Sequence, residues 1–155
     1  LVLYLFGYRD AERRRLSDCT CTALQLANFW QDVSRDLDKD RIYIPLDLLS
    51  SAGLTESDLF GRRSDARYTE LVRGLVERTR ELFQLGMPLT TSVAGEFRVD
   101  LELFSSGGLA VLDAIESIGY NTLTTRPALT RAKKFRLAGR ALSAHLLSKV
   151  SANGK

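Results

Sequence analysis

Four polar residues, Gln25, Asn28, Asp32 and Asp36, recur at three- and four-residue steps within the stretch Ser17 to Leu37. At about 100° per residue, with Gln25 set to zero, Asn28 falls at about 300°, Asp32 at about 340° and Asp36 at about 20°, so a helix gathers all four within an arc of about 80°. Leu26, Trp30, Val33 and Leu37 fall between about 80° and 140°, which makes the polar stripe a neighbour of the apolar side rather than its opposite. Two carboxylates four residues apart repel by roughly 0.2–0.5 kcal/mol, and no Lys or Arg within the stripe relieves them. Asp and Asn are also poor helix formers, so the stripe is a local cost that a cation brought from elsewhere offsets. Magnesium suits these donors, because it takes hard oxygen ligands, is held through one or two carboxylates, and leaves its other positions to water and substrate phosphate. Asn28, Asp32 and Asp36 are the candidate ligands; a solvated helix face is the competing reading.

The elements that must position this stripe are helical. The first spans about Ser17 to Leu37. A second follows the capping candidates Ser64 and Asp65, carries Tyr68, Leu71, Val72, Leu75, Val76, Thr79, Leu82 and Phe83 on one side, and stops at Gly86 and Pro88. Gly95 to Ile118 forms another, with Phe97, Leu101, Phe104, Leu112 and Ile115 as its core side and Gly107-Gly108 as a close-packing point or kink. A last helix is expected from about Thr130 to Val150. Arg41-Ile42-Tyr43-Ile44-Pro45 alternates like a strand but has no partner, so it reads as an extended loop folding back over the end of the first helix. Thr55 caps a short turn. Leu1 to Phe6 lacks the basic region and cleavage site of a signal peptide and reads as the inside of a buried helix, which leads us to expect that the chain starts within a longer domain. The pattern as a whole is all-α, a bundle of antiparallel helices.

Composition narrows the chemistry. The chain has 155 residues, 45% of them hydrophobic and 26% charged, with a net charge of +3. That excludes low-complexity and collagen-like classes and is too weakly basic to indicate nucleic acid. The longest uncharged apolar run, Leu1 to Tyr8, is far short of the ~20 residues that span a bilayer. Cys19 and Cys21, two apart on a helix, point away from each other, and His145 is the lone histidine, so zinc sites and Cys/His dyads have almost nothing to be built from. An intracellular location is the modest inference. Arg13-Arg14-Arg15 reads as an exposed turn or as an attractor of anions.

Gln25-Leu26-Ala27-Asn28-Phe29-Trp30-Gln31-Asp32-Val33-Ser34-Arg35-Asp36, followed by Arg41-Ile42-Tyr43-Ile44-Pro45, resembles the second aspartate-rich motif of the squalene/phytoene synthase family. That motif runs roughly Q-L-x-N-x-x-x-D-x-x-x-D, then R-x-Y-x-P after a short gap. Tyr120 to Arg126 and the basic stretch from Arg131 to Lys134 are similar to the family's C-terminal segment, so the resemblance covers nearly the whole chain. Asn28 to Val33 looks most like the bacterial hopanoid-pathway branch, squalene or hydroxysqualene synthase; relatives elsewhere in the family more often carry Arg where Gln31 stands. Asp40 stands where the motif usually has Gly, and no first aspartate-rich motif precedes Leu24.

The resemblance implies an isoprenoid synthase fold, of which residues 1–155 form the C-terminal part, the N-terminal helices of the same domain being its missing partner. It implies farnesyl or presqualene diphosphate as substrate and Mg2+ as cofactor. Asp32 and Asp36 then act in catalysis as metal ligands with Asn28, while Gln25, Arg41, Tyr43 and Arg126 contact the diphosphate and Tyr120 stabilises a cationic intermediate. Metal ions would act as Lewis acids on the leaving diphosphate, while an apolar cavity protects the carbocation from water. Other readings stay open: Tyr43 and Pro45 as loop anchors, Tyr120 as a packing residue at a helix end, Arg126 as a solvated charge. The resemblance also implies a cytoplasmic protein touching the inner face of the membrane, because its substrates and products are lipophilic. Phytoene or dehydrosqualene synthase is the enzyme alternative, a non-catalytic assembly or binding protein of the same fold the alternative from another class, and a plain helical interaction module the residual one.

Overall fold

The computed structural model describes residues 2–93, 95–129 and 139. Seven helices and no strand occur among them: α1 (Val2–Leu5), α2 (Ala11–Leu37), α3 (Leu46–Ser51), α4 (Glu56–Phe60), α5 (Ala66–Gly86), α6 (Pro88–Ser92) and α7 (Gly95–Ser117). The expected all-α architecture is therefore the observed one. The helix expected over 130–150, with His145 and the basic stretch 131–134, lies outside the described residues.

α2 is the central element and begins six residues earlier than the hydrophobic period implies. Asp10 caps it, accepting from the Arg13 backbone N–H at 2.9 Å, and this bond, with the Arg13 guanidinium, holds the Asp10 carboxyl below the usual range. Arg13, Arg14 and Arg15 are thus helical rather than an exposed turn. Arg13 is tied down further by a 2.9 Å bond to the Ser92 carbonyl and by its position over the Tyr8 ring. A surface N-terminal turn needs no apolar period, only a cap, which is why the hydrophobic pattern misses it.

α2 packs chiefly against α5 and next against α7. Ala23, Ala27, Trp30, Val33 and Leu37 of α2 join Tyr68, Val72, Leu75, Val76 and Phe83 of α5 and Leu112 and Ile115 of α7 in the main core. Trp30 is buried, and its indole N–H donates to Thr79 Oγ1 at 2.9 Å, so the one polar atom of the ring costs nothing on burial. A second cluster joins Leu3, Leu16, Leu89, Val93, Phe97 and Leu101. Leu1 to Phe6 was expected inside a buried helix, but only Leu3 of α1 is buried; Leu5 is 78% exposed, and Val2, Tyr4 and Phe6 are exposed as well.

Short elements follow their caps. Thr55 and Asp58 form a reciprocal capping box on α4, and Asp65 receives the Arg67 and Tyr68 N–H groups at the start of α5. α7 runs unbroken through Gly107-Gly108, and the two glycines differ in purpose. A Cβ on Gly108 would lie 2.3 Å from Phe83 Cζ and 3.0 Å from Leu24 Cδ2, whereas one on Gly107 meets nothing within 4 Å. Gly108 is what lets α7 close on α2 and α5. Gly108→Ala is therefore expected to lose about 1–3 kcal/mol through overpacking. Gly107→Ala should gain up to about 1 kcal/mol from helix propensity. Urea unfolding of the two variants side by side checks the contrast.

Candidate functional site

The rotation of α2 that buries Trp30 leaves Gln25 and Asn28 exposed and Asp32 and Asp36 half-buried along one border of the helix. Four of the predicted site residues thus share one stripe. The loop after it is shaped by the way α2 ends. Arg41 N–H donates to the Asp36 carbonyl at 2.9 Å and Asp40 N–H to the Leu37 carbonyl at 3.2 Å, with Asp40 at φ +55°. This is a Schellman termination, whose left-handed residue is ordinarily Gly; the departure of Asp40 from the family motif falls on the one position that needs a positive φ. The turn sends Arg41 to Pro45 back along α2. Tyr43 lies flat on Phe29, ring centroids 4.2 Å apart and planes 3° from parallel, so its ring anchors the loop. Asp36, Arg41 and Tyr43 line a single crevice of about 10 Å3 beside Phe29 and Val33.

The cation that the stripe lacks comes from far along the chain. Arg126 Nε donates to Asp32 Oδ1, and both side chains are 33% exposed. The predicted pair of a carboxylate and a diphosphate-binding guanidinium is therefore brought together, but the two groups contact each other. Arg126 belongs to an irregular strap, 121–127, that crosses the C-terminal half of α2 and is tied down at four points. Thr122 shares a 2.7 Å hydrogen bond with the buried Tyr68 hydroxyl. The Arg62 guanidinium donates to the Leu123 carbonyl at 2.7 Å, to the Ser34 carbonyl at 3.2 Å and to Asp38. Gln31 Nε2 donates to the Pro127 carbonyl at 2.9 Å, and Arg126 closes the set.

Tyr120 stands apart from the stripe. It follows α7 at φ +62°, is half-buried against the main core, and has the Arg73 guanidinium 5.2 Å above its ring. These surroundings are those of a packing residue at a helix end.

Gln31 and Arg62 are the positions that sequence reasoning missed. Gln31 lies at about 240° on the wheel, next to Thr20, Ala23, Ala27 and Ser34 at about 160–220°. That band of small residues is a second packed side of α2, and an amide at its edge is the available signal. Arg62 gives none, because its three acceptors are two carbonyls and a carboxylate supplied by distant segments.

Beyond the N-terminal end of the stripe lies a largely apolar cavity of about 370 Å3, lined by Cys21 and Leu24 of α2, Leu3 of α1, Phe6, and Phe97 and Phe104 of α7, with Thr20 and Asp100 as polar parts of its wall. Cys21, at about 320°, continues the line of Asn28 and Asp32. Both cysteines are free thiols. Among the described residues, no three His, Cys, Asp or Glu side chains are grouped to hold a metal by themselves, and no helix is long and apolar enough to cross a membrane.

An all-helical fold with a paired-aspartate stripe on its central helix defines a class, and the comparisons identify the family. The family model described as squalene/phytoene synthase matches residues 1–133. The chain belongs to that family. A crystal structure of the squalene synthase HpnC from Alicyclobacillus acidocaldarius superposes with a TM-score of 0.75 and 43% identity, over 77% of this chain and 46% of that one. The phytoene synthase of Thermus thermophilus is 33% identical over 79% of this chain and 42% of its own length. Phytoene synthase 2 of Zea mays is 35% identical over 72% and 28%. The chain thus spans less than half the length of these relatives.

Burial pushes the Tyr68 phenol up to about 12 from an ordinary 10.0, against the opposing effect of its bond to Thr122. A folded pKa above the unfolded one gives stability that is complete below pH 10 and lost as pH rises toward 12. The loss amounts to about 2–3 kcal/mol at 1.36 kcal/mol per pH unit. Tyr68→Phe should flatten that decline, as read by urea unfolding between pH 9 and pH 12. Asp40→Gly should raise stability by about 0.5–1 kcal/mol by relieving the left-handed residue. Thermal unfolding at neutral pH checks it.

Proposed function

We propose that the chain is the C-terminal part of a squalene/phytoene synthase domain that converts farnesyl or presqualene diphosphate toward hydroxysqualene and squalene, with Mg2+ as cofactor. The observation that carries this reading is the half-buried Asp32/Asp36 stripe with a guanidinium on Asp32, in line along α2 with the apolar cavity at Cys21 and Leu24. An anionic head and a hydrocarbon tail are the two halves of a prenyl diphosphate, and the two ends of this helix border suit one each.

The donor set fits magnesium. Two carboxylates and an amide on successive turns offer hard oxygens without filling an octahedral shell, and the remaining positions suit water and phosphate. The presence of Arg126 on Asp32 marks the position as one that draws a cation. Asn28, Asp32 and Asp36 are assigned as ligands. When bound, Mg2+ supplies Lewis-acid stabilisation of charge on the departing diphosphate. Gln25 hydrogen-bonds the diphosphate or its waters; Arg41 and Arg126 neutralise it, as guanidinium forks do well. Tyr43 holds the Arg41 loop against Phe29. The apolar cavity excludes water from the cation left on the prenyl chain, and Tyr120 keeps its packing role. Residence in the cytoplasm with contact at the membrane's inner face belongs to the same reading, since the substrates are lipophilic.

The squalene-type reaction is favoured over the phytoene type by the 43% identity to the HpnC squalene synthase, against 29–35% to phytoene synthases. The latter remain the second reading. In the full-length protein, Asp32→Asn and Asp36→Asn should each lower turnover of farnesyl and presqualene diphosphates by about a hundredfold or more, the scale of several kcal/mol of lost transition-state stabilisation. Mass analysis of the extracted product separates the squalene type from the phytoene type. Undiminished turnover in both variants would remove the metal assignment.

A further inference from the structure

We propose that Gln31 is a positioning residue that seats Arg126 on Asp32, making the guanidinium a built-in counter-cation that a divalent metal must displace before the carboxylate becomes available to it. The inference rests on the reading of Asp32 as a metal ligand.

Gln31 is only 8% exposed, and both ends of its amide serve one dipeptide. Nε2 donates to the Pro127 carbonyl at 2.9 Å, and Oε1 is 3.5 Å from Arg126 Nη2. A buried amide left unpaired is costly, so this commitment fixes where the strap crosses α2. The ties at Thr122 and Leu123 hold the strap only up to residue 123. Gln31 is the tie that sets the reach of Arg126. Consecutive residues on a helix point about 100° apart, so Pro127 rests on one side of α2 while the Arg126 side chain extends around to Asp32.

The guanidinium is suited to the task. It uses Nε on Asp32 and Nη2 toward Gln31, a fork that lysine cannot form. In this position it offsets the repulsion between Asp32 and Asp36 when no metal is present. Both partners keep a third of their surface, so the pair is accessible to an arriving ion. Displacement then frees a guanidinium next to the site where diphosphate is placed, which couples metal binding to anion binding by linkage.

The test uses the full-length protein, Mn2+ as the probe, the electron paramagnetic resonance of the free ion as readout, and no diphosphate. Arg126→Gln should tighten Mn2+ binding by up to about fivefold, the worth of an exchangeable ion pair. Gln31→Met should move it in the same direction by less, and Arg126→Lys, which keeps the charge without the fork, should fall between wild type and Arg126→Gln. Should Arg126→Gln and Gln31→Met lower the melting temperature yet leave the Mn2+ affinity unchanged while Asp32→Asn weakens it, the ligand role of Asp32 stands and the counter-cation role is overturned. Should Asp32→Asn also leave the affinity unchanged, the metal reading and this inference fall together.

Discussion

The hydrogen bond from the Trp30 indole to Thr79 fixes the rotation of α2 about its own axis, and the geometry of the polar border follows from that rotation. A large ring fully inside the core has few orientations in which its N–H is satisfied, so α2 and α5 meet in one register. Turning α2 by one residue, about 100°, would carry Asp32 and Asp36 off their border and strand the indole donor. Packing and site geometry are therefore set by one constraint, with the apolar contacts around Trp30 supplying the energy and the hydrogen bond supplying the angle.

A second theme is how the molecule manages charge where two carboxylates adjoin its core. Arg35 stands three residues beyond Asp32 on α2, yet the ion pair that Asp32 makes is with Arg126. The offset arrives through tertiary structure, from a guanidinium 94 residues away. Arg62 performs a parallel service at the end of the helix, collecting a carboxylate and a backbone carbonyl from α2 and its C-cap and a second carbonyl from the strap. Such long-range, side-chain-to-backbone ties are how an irregular strap stays ordered without secondary structure of its own, because each buried carbonyl still requires a donor.

Much of this was legible in the residues. The helical period located α5 and α7 to within a residue or two, the cap at Asp65 and the turn at Thr55 were visible as chemistry, and the border of α2 could be drawn on a wheel. What escaped did so for identifiable reasons. The start of α2 at Asp10 is set by a polar cap on a surface turn, where no apolar rhythm exists. The exposure of α1 depends on what packs over it, a property of the whole domain rather than of six residues. The pairing of Arg126 with Asp32 and the burial of Gln31 depend on where a strap of no regular period crosses a helix. Gly107-Gly108 reads from the sequence as a close-packing point or kink, and that Gly108 alone makes the contact, in an unbroken helix, needed the position of Phe83.

The strap also has a consequence for the order in which the molecule forms. A chain emerges from the ribosome N-terminal end first, at about 5–20 residues per second, and local helices form far faster than that. α2 and α5 are available to pair as soon as both have emerged. Their carboxylate border, however, stays without its counter-charge, and the acceptors of Arg62 stay incomplete, until residues 122–127 follow. Each second of synthesis in that interval is one in which a hydrophobic bundle exists with its polar edge unfinished. Among the described elements the strap is the last to arrive, and its arrival supplies the Asp32 border with its guanidinium.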